Sequence, residues 1–159
     1  MNVLLSIKPK YASQILNGNK RYEFRKSLFN HRDLDMVYIY SSSPVKRIVG
    51  AFAIKSIIEK HPVQLWNECK DFSGIEKEDF FSYFRGKETG FAIEIGDVEV
   101  FDPINPKDHI LNFVPPQSFC YTDKNWAGVV GVDSEIPEDK DDRTSEGISA
   151  RFISGGERR

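Results

Sequence analysis

The run 46–58 most constrains what this chain can fold into. It is apolar and β-branched, as a buried strand is, yet Gly50 lies inside it. A glycine within a strand marks a bulge or a sharp bend, and a closing barrel needs such a bend. Residues 3–7 form a nearly continuous apolar run, the pattern of a buried strand. Residues 36–40 read as another, and 89–95 with 97–101 alternate as one long strand kinked at Gly96. A short strand over 119–121 ends the series. Helical patterns are few. Pro9 suits a first helical turn, with Tyr11, Ala12, Ile15 and Leu16 as the inward stripe and Gly18 as the stop. Pro62 opens a second helix carrying Val63, Leu65 and Trp66, and Phe80, Phe81 and Phe84 share helical spacing in a third over 75–84.

The chemistry concentrates in Gly18-Asn19-Lys20-Arg21-Tyr22-Glu23-Phe24-Arg25-Lys26. Strand alternation gives Tyr22 and Phe24 one face and Arg21, Glu23 and Arg25 the other. The Glu23 carboxylate is two residues from the Arg25 guanidinium, within reach of a charge-assisted contact. Lys20 stands at the strand's start, where the turn at Gly18 decides its direction. On residue types alone, an ion pair on the barrel with Lys20 solvated is the commoner outcome. The functional alternative is a cleft that grips a nucleotide, with Arg25 on a phosphate or base edge and Glu23 on an exocyclic amine.

The spacing G-x-K-x-x-E-x-R, met by Gly18, Lys20, Glu23 and Arg25, resembles the signature of the ASCH family. The order of the surroundings is similar to its stand-alone prokaryotic and phage members: 3–7, Lys8-Pro9, the motif, 37–40, 43–50, 90–95 and Pro115-Pro116-Gln117-Ser118-Phe119. The likeness covers 1–122. It implies an α+β fold, a PUA-like mixed β-barrel with two to three short helices. It also implies RNA or a nucleotide as partner, held in a basic cleft beside the motif strand. The expected ligand-binding residues are Lys8, Lys20, Arg21, Glu23, Arg25, Ser43, Lys46, Gln117 and Ser118. Family members are proposed regulators of transcription or translation. Some small members are amidohydrolases that remove an acyl group from a modified cytidine. Their lysine corresponds to Lys20, but a threonine nucleophile stands where this chain has Glu23. That departure counts against the amidohydrolase. Ribonuclease activity, attributed to other members, needs only a lysine, a carboxylate and a phosphate grip, and Lys20 with Glu23 would be its acid–base pair.

Net charge is −2, but its distribution is uneven. Residues 1–60 hold 11 Lys+Arg against 4 Asp+Glu, a balance of +7; residues 61–122 balance at −6 and 123–159 at −3. The basic series is Lys8, Lys10, Lys20, Arg21, Arg25, Lys26, Arg32, Lys46 and Arg47, a phosphate-binding footprint independent of any resemblance. Tyr11, Tyr22, Tyr38 and Tyr40 interleave with it; stacking on bases is open to them, though strand alternation favours the core for most. Pro115-Pro116 rigidifies the approach to Gln117, and a preset amide suits bidentate bonding to a base edge. His31, His61 and His109 have no metal-ligand spacing, and no phosphate-cradling glycine loop occurs, so no cofactor is expected. Cys69 and Cys120 read as free thiols, and the absence of a signal or a membrane-length apolar run points to a cytoplasmic protein. From Asp123 the chain turns acidic and Gly/Ser-rich, a weakly ordered tail or an appendage anchored by Trp126, Val129, Val130 and Phe152. As a protein-interaction module, the rival from a different class, the chain would use the acidic 61–122 half and this tail.

Overall fold

Residues 3–7 lie in strand β1 (Asn2–Ile7) of the computed structural model, which describes residues 1–31 and 33–129. Arg32 and the stretch 130–159, with Val130 and Phe152, lie outside the described residues. β1 runs parallel to β3 (Val37–Ser41) and antiparallel to β6 (Phe119–Thr122). Val3, Leu5 and Ile7 enter one core with Ile15, Phe29, Ile39, Phe52 and Ile93. Leu4 enters a second, behind the sheet, with Tyr38, Ile48, Phe101 and Trp126. Apolar packing on both faces explains why the run is continuous rather than alternating. Each such side chain contributes about 1.5–3 kcal/mol of burial.

Two long antiparallel strands, β4 (Arg47–Lys60) and β5 (Gly90–Ile104), form the spine, and β2 (Tyr22–Arg25) pairs with β5. The sheet order β2-β5-β4-β3-β1-β6 leaves β2 and β6 as the two edges of a half-barrel. The bend expected at Gly50 is there, as register shifts between Ile48 and Gly50 and further along β4. A Cβ at Gly50 would lie 2.6 Å from the Glu99 carbonyl oxygen and 2.7 Å from Leu16 Cδ2, so the close approach of β5 and the first helix excludes any side chain. Gly96, where a kink was expected, falls inside the single strand β5, and the ladder shifts register across it, between the Phe52–Val98 and Ile54–Ile95 pairs.

The first helix, α1 (Pro9–Leu16), packs Ala12 and Ile15 on the sheet, and Gly18 follows it at φ +87°. Helices α2 (Pro62–Cys69) and α3 (Lys77–Tyr83) build a third core, in which Leu65, Cys69, Phe80 and Phe84 meet Phe24 and Ala92. Phe24 packs edge-to-face on Phe80 at 4.9 Å between centroids, which ties the apolar face of the motif strand to α3. Both cysteines are free; burial pushes the Cys69 thiol up to about 12. No helix among the described residues is long and apolar enough to cross a membrane. Packing continues past residue 122, because Trp126 is fully buried against the second core.

Candidate nucleic-acid interface

Between the edge strands β2 and β6 the sheet does not close, and a cleft of about 1000 Å³ opens there. Its walls are the end of β1, the start of α1, β2, the turn from β3 to β4, α3, and the Pro115–Ser118 approach to β6. Lys8, Lys20, Glu23, Arg25, Ser43, Lys46, Gln117 and Ser118 all line it, together with Lys10. Asp79 and Glu23 are its two lining carboxylates among the described residues, so cations outnumber anions.

Lys20 is the most constrained of these. It is 3% exposed, and its Nζ donates to the Ser73 carbonyl at 2.7 Å. The Glu23 carboxylate is 4.0 Å away, and the Tyr11 and Phe24 ring centroids are 5.2 and 4.9 Å away. Burial lowers its pKa from 10.5 to about 8, against the opposing pull of Glu23. The solvated lysine of the commoner local outcome is therefore not what forms. The stem fits because Gly74, at φ +66°, has no side chain: a Cβ there would stand 2.6 Å from Lys20 Cβ and Cγ. Gly74→Ala is expected to cost about 1–3 kcal/mol, through left-handed strain and overpacking. In urea denaturation the cost should shrink when Lys20 is also truncated to alanine; a penalty unaltered in the double variant would assign it to backbone strain alone.

Arg25 crosses the open seam. Its Nη2 donates to the Ser6 carbonyl at 2.9 Å and lies 3.2 Å from Glu23 Oε2, while Nη1 donates to Ser118 Oγ at 3.3 Å. A side chain on one edge strand thus reaches β1 and the approach to β6, which a Ser6 N–H to Ser118 carbonyl bond joins to each other but no backbone ladder joins to β2. Its Nε is buried with no hydrogen-bond partner. Most of the fork is committed to protein acceptors, so Arg25 shapes the cleft wall more than it offers free donors.

Arg21 departs from the expected grouping. β2 begins at Tyr22, and the Arg21 backbone is held by Phe72 and Ile95, so its guanidinium turns outward to lie 4.8 Å from the Phe72 centroid. It does not line the cleft. Arg47 also stays outside, donating to the Lys46 carbonyl. The interleaved tyrosines pack against the cores, as strand alternation favours for most of them. Tyr11 and Tyr40 also border the cleft, and Tyr40 shares the second core with Tyr38. Burial raises the pKa of Tyr11, Tyr40 and, on α3, Tyr83. Asp79 and Ser82 on α3 carried no sequence signal, since that helix is distant in the chain and reads only as a Phe stripe. Lys46 sits at φ +56°, a conformation uncommon for a side chain of its size and of the kind that collects at functional sites.

The family model of the ASCH domain matches residues 5–104. The chain belongs to the ASCH domain family. A curated relative, the "ASCH domain-containing ribonuclease" of Zymomonas mobilis subsp. mobilis, is 28% identical over 124 residues, 76% of this chain and 84% of that protein. A large ribosomal subunit protein uL22 of Ureaplasma parvum is 27% identical over 107 residues, and the ASCH chain spans 33% of it. Solved structures of ASCH from Zymomonas mobilis superpose with a TM-score of 0.75 for a serine-to-alanine variant and 0.74 for the parent protein. Both are 25% identical; they cover 82% and 83% of this chain, and 95% and 94% of theirs. The fold is therefore the PUA-like α+β half-barrel of those ASCH structures.

Proposed function

We propose that this ASCH protein binds single-stranded RNA in the seam cleft and cleaves it. The observation that carries the reading is the convergence of Lys8, Lys10, Lys20 and Lys46 from separate elements on one opening, with Gln117 and Ser118 at its rim. Such a cleft admits a nucleotide or two but not a duplex, and single strands present the unstacked bases that a recessed site reads. The ribonuclease name of the Zymomonas relative, most of whose length this chain spans, supports cleavage over binding alone.

Cleavage by the RNA's own 2′-hydroxyl needs few protein groups. The 2′-oxygen attacks the adjacent phosphorus and the bond to O5′ breaks, leaving a 2′,3′-cyclic phosphate and a 5′-hydroxyl. One proton leaves the 2′-oxygen and one is delivered to O5′. Lys20, brought down to about 8, exchanges a proton near neutral pH, whereas an ordinary lysine stays charged. Lys46 and Lys8 are exposed at the opening and neutralise the phosphate. Glu23 holds Lys20 and Arg25 in place.

Labelled RNA and DNA of one sequence test this. RNA should yield cyclic-phosphate ends and DNA, lacking the 2′-hydroxyl, should stay intact. In binding titrations, Lys8→Ala and Lys46→Ala should each flatten the slope of log K against log salt by about 0.7, the release expected per single-strand phosphate contact. Salt-dependent binding without cleavage would reduce the protein to an RNA-binding module. Absence of both would sink the proposal.

A further inference from the structure

Glu23 is the residue that the motif offers for reading an exocyclic amine, but its carboxylate is already committed: Oε2 to Arg25 at 3.2 Å and Oε1 toward Lys20 at 4.0 Å. Asp79, the other lining carboxylate, is exposed on α3 and forms no ion pair or hydrogen bond among the described residues. It faces the same opening as the lysines of α1 and the β3–β4 turn. Its charge is felt at the Tyr11 ring, whose hydroxyl it pushes toward the neutral form after burial has done most of the work. Helix α3 does not need Asp79 for its dipole, because Glu78 occupies the same first turn and does not line the cleft. A lone carboxylate inside a phosphate-binding cleft repels the backbone of a nucleic acid. It earns its place only by accepting hydrogen bonds from the ligand.

Resting on the RNA reading above, we propose that Asp79 is a specificity-determining residue that selects bases presenting an exocyclic amine. Cytosine N4 and adenine N6 donate to a carboxylate, whereas uracil presents the O4 acceptor at the corresponding place and is repelled. The cleft thus sorts its ligand by charge at two ends: lysines for the phosphate, Asp79 for the amine-bearing base edge. Gln117, exposed at the rim, has an amide that pairs with either edge and adds no discrimination of its own.

Fluorescent ten-nucleotide oligo(C), oligo(A) and oligo(U) are the probes, titrated with the full chain at fixed salt. Wild-type protein should bind oligo(C) and oligo(A) at least about fivefold tighter than oligo(U), the lower end of the discrimination one good base contact gives. Asp79→Asn should bring the three affinities within about twofold, since an amide turns to accept or donate. A merely repulsive Asp79 would behave differently: removing its charge would tighten all three oligos equally and leave their ratio unchanged, and that result overturns the inference. So does a wild-type protein that binds all three alike, which leaves RNA binding itself intact. A wild-type protein that binds none of them removes the RNA reading and this inference together.

Discussion

Lys20→Met should lower RNA cleavage by at least about 100-fold while making the protein's stability less dependent on alkaline pH. The activity loss is the low end of what a positioned proton-exchanging group supplies. The stability effect follows from linkage. In the unfolded chain the amine titrates near 10.5, and in the folded cleft at about 8. Between those values the unfolded state binds the extra proton, so wild-type stability rises with pH across that window and is lost as pH falls from 10.5 to about 8. Below it, holding the ammonium in the buried site costs about 3 kcal/mol relative to water. Methionine fills a similar volume and carries no charge, so its variant lacks this slope. The Glu23 carboxylate keeps Arg25 as its partner. Urea denaturation of both proteins at pH 7 and pH 10 reads the difference. If the gap between variant and wild type fails to narrow at pH 10, Lys20 is not held in an unfavourable charged state. A side chain kept there at a cost to the fold is what a working site looks like.

Much of this architecture was legible before the coordinates. Residues 3–7 declared a doubly buried strand because both parities are apolar, and Gly50 declared a bend because a glycine inside an apolar strand marks one. The motif strand announced its two faces through simple alternation, and Phe24 and Glu23 obey it. The cleft was legible only in part. Lysines from the first 60 residues were visible as a charge excess, but α3 closes the opposite wall from a distant stretch whose sequence shows only a phenylalanine stripe. Local patterns report which face of an element is apolar; they do not report which remote element will stand across from it. Arg21 shows the same limit at short range. It shares parity with Glu23, yet lies one residue before the strand begins, and backbone bonds to Phe72 and Ile95 set its direction instead. Trp126, beyond the expected domain edge, shows how a single large ring carries the core past it.

Arg25→Ala should destabilise the fold by about 3–5 kcal/mol, the range for breaking a buried pair and stranding its partner. The Arg25 and Glu23 side chains are only 11% and 10% exposed, so solvent screens the pair little. Truncation leaves the Glu23 carboxylate with only the more distant Lys20, and removes the donors to the Ser6 carbonyl and Ser118 Oγ. It also unlatches the seam, because those two acceptors belong to β1 and to the approach to β6, neither of which pairs with β2. Arg25→Lys should recover little: one ammonium on a flexible stem cannot span three acceptors that a planar fork meets together. The loosened seam should also widen the cleft and weaken RNA binding, although Arg25 has few donors left for a phosphate. Urea denaturation at pH 7 measures the first effect, and oligonucleotide titration in the native range the second. A loss below about 1 kcal/mol would mark the guanidinium as an ordinary surface ion pair. Near-wild-type stability of Arg25→Lys would show that charge alone, and not the bridge, holds the edges together.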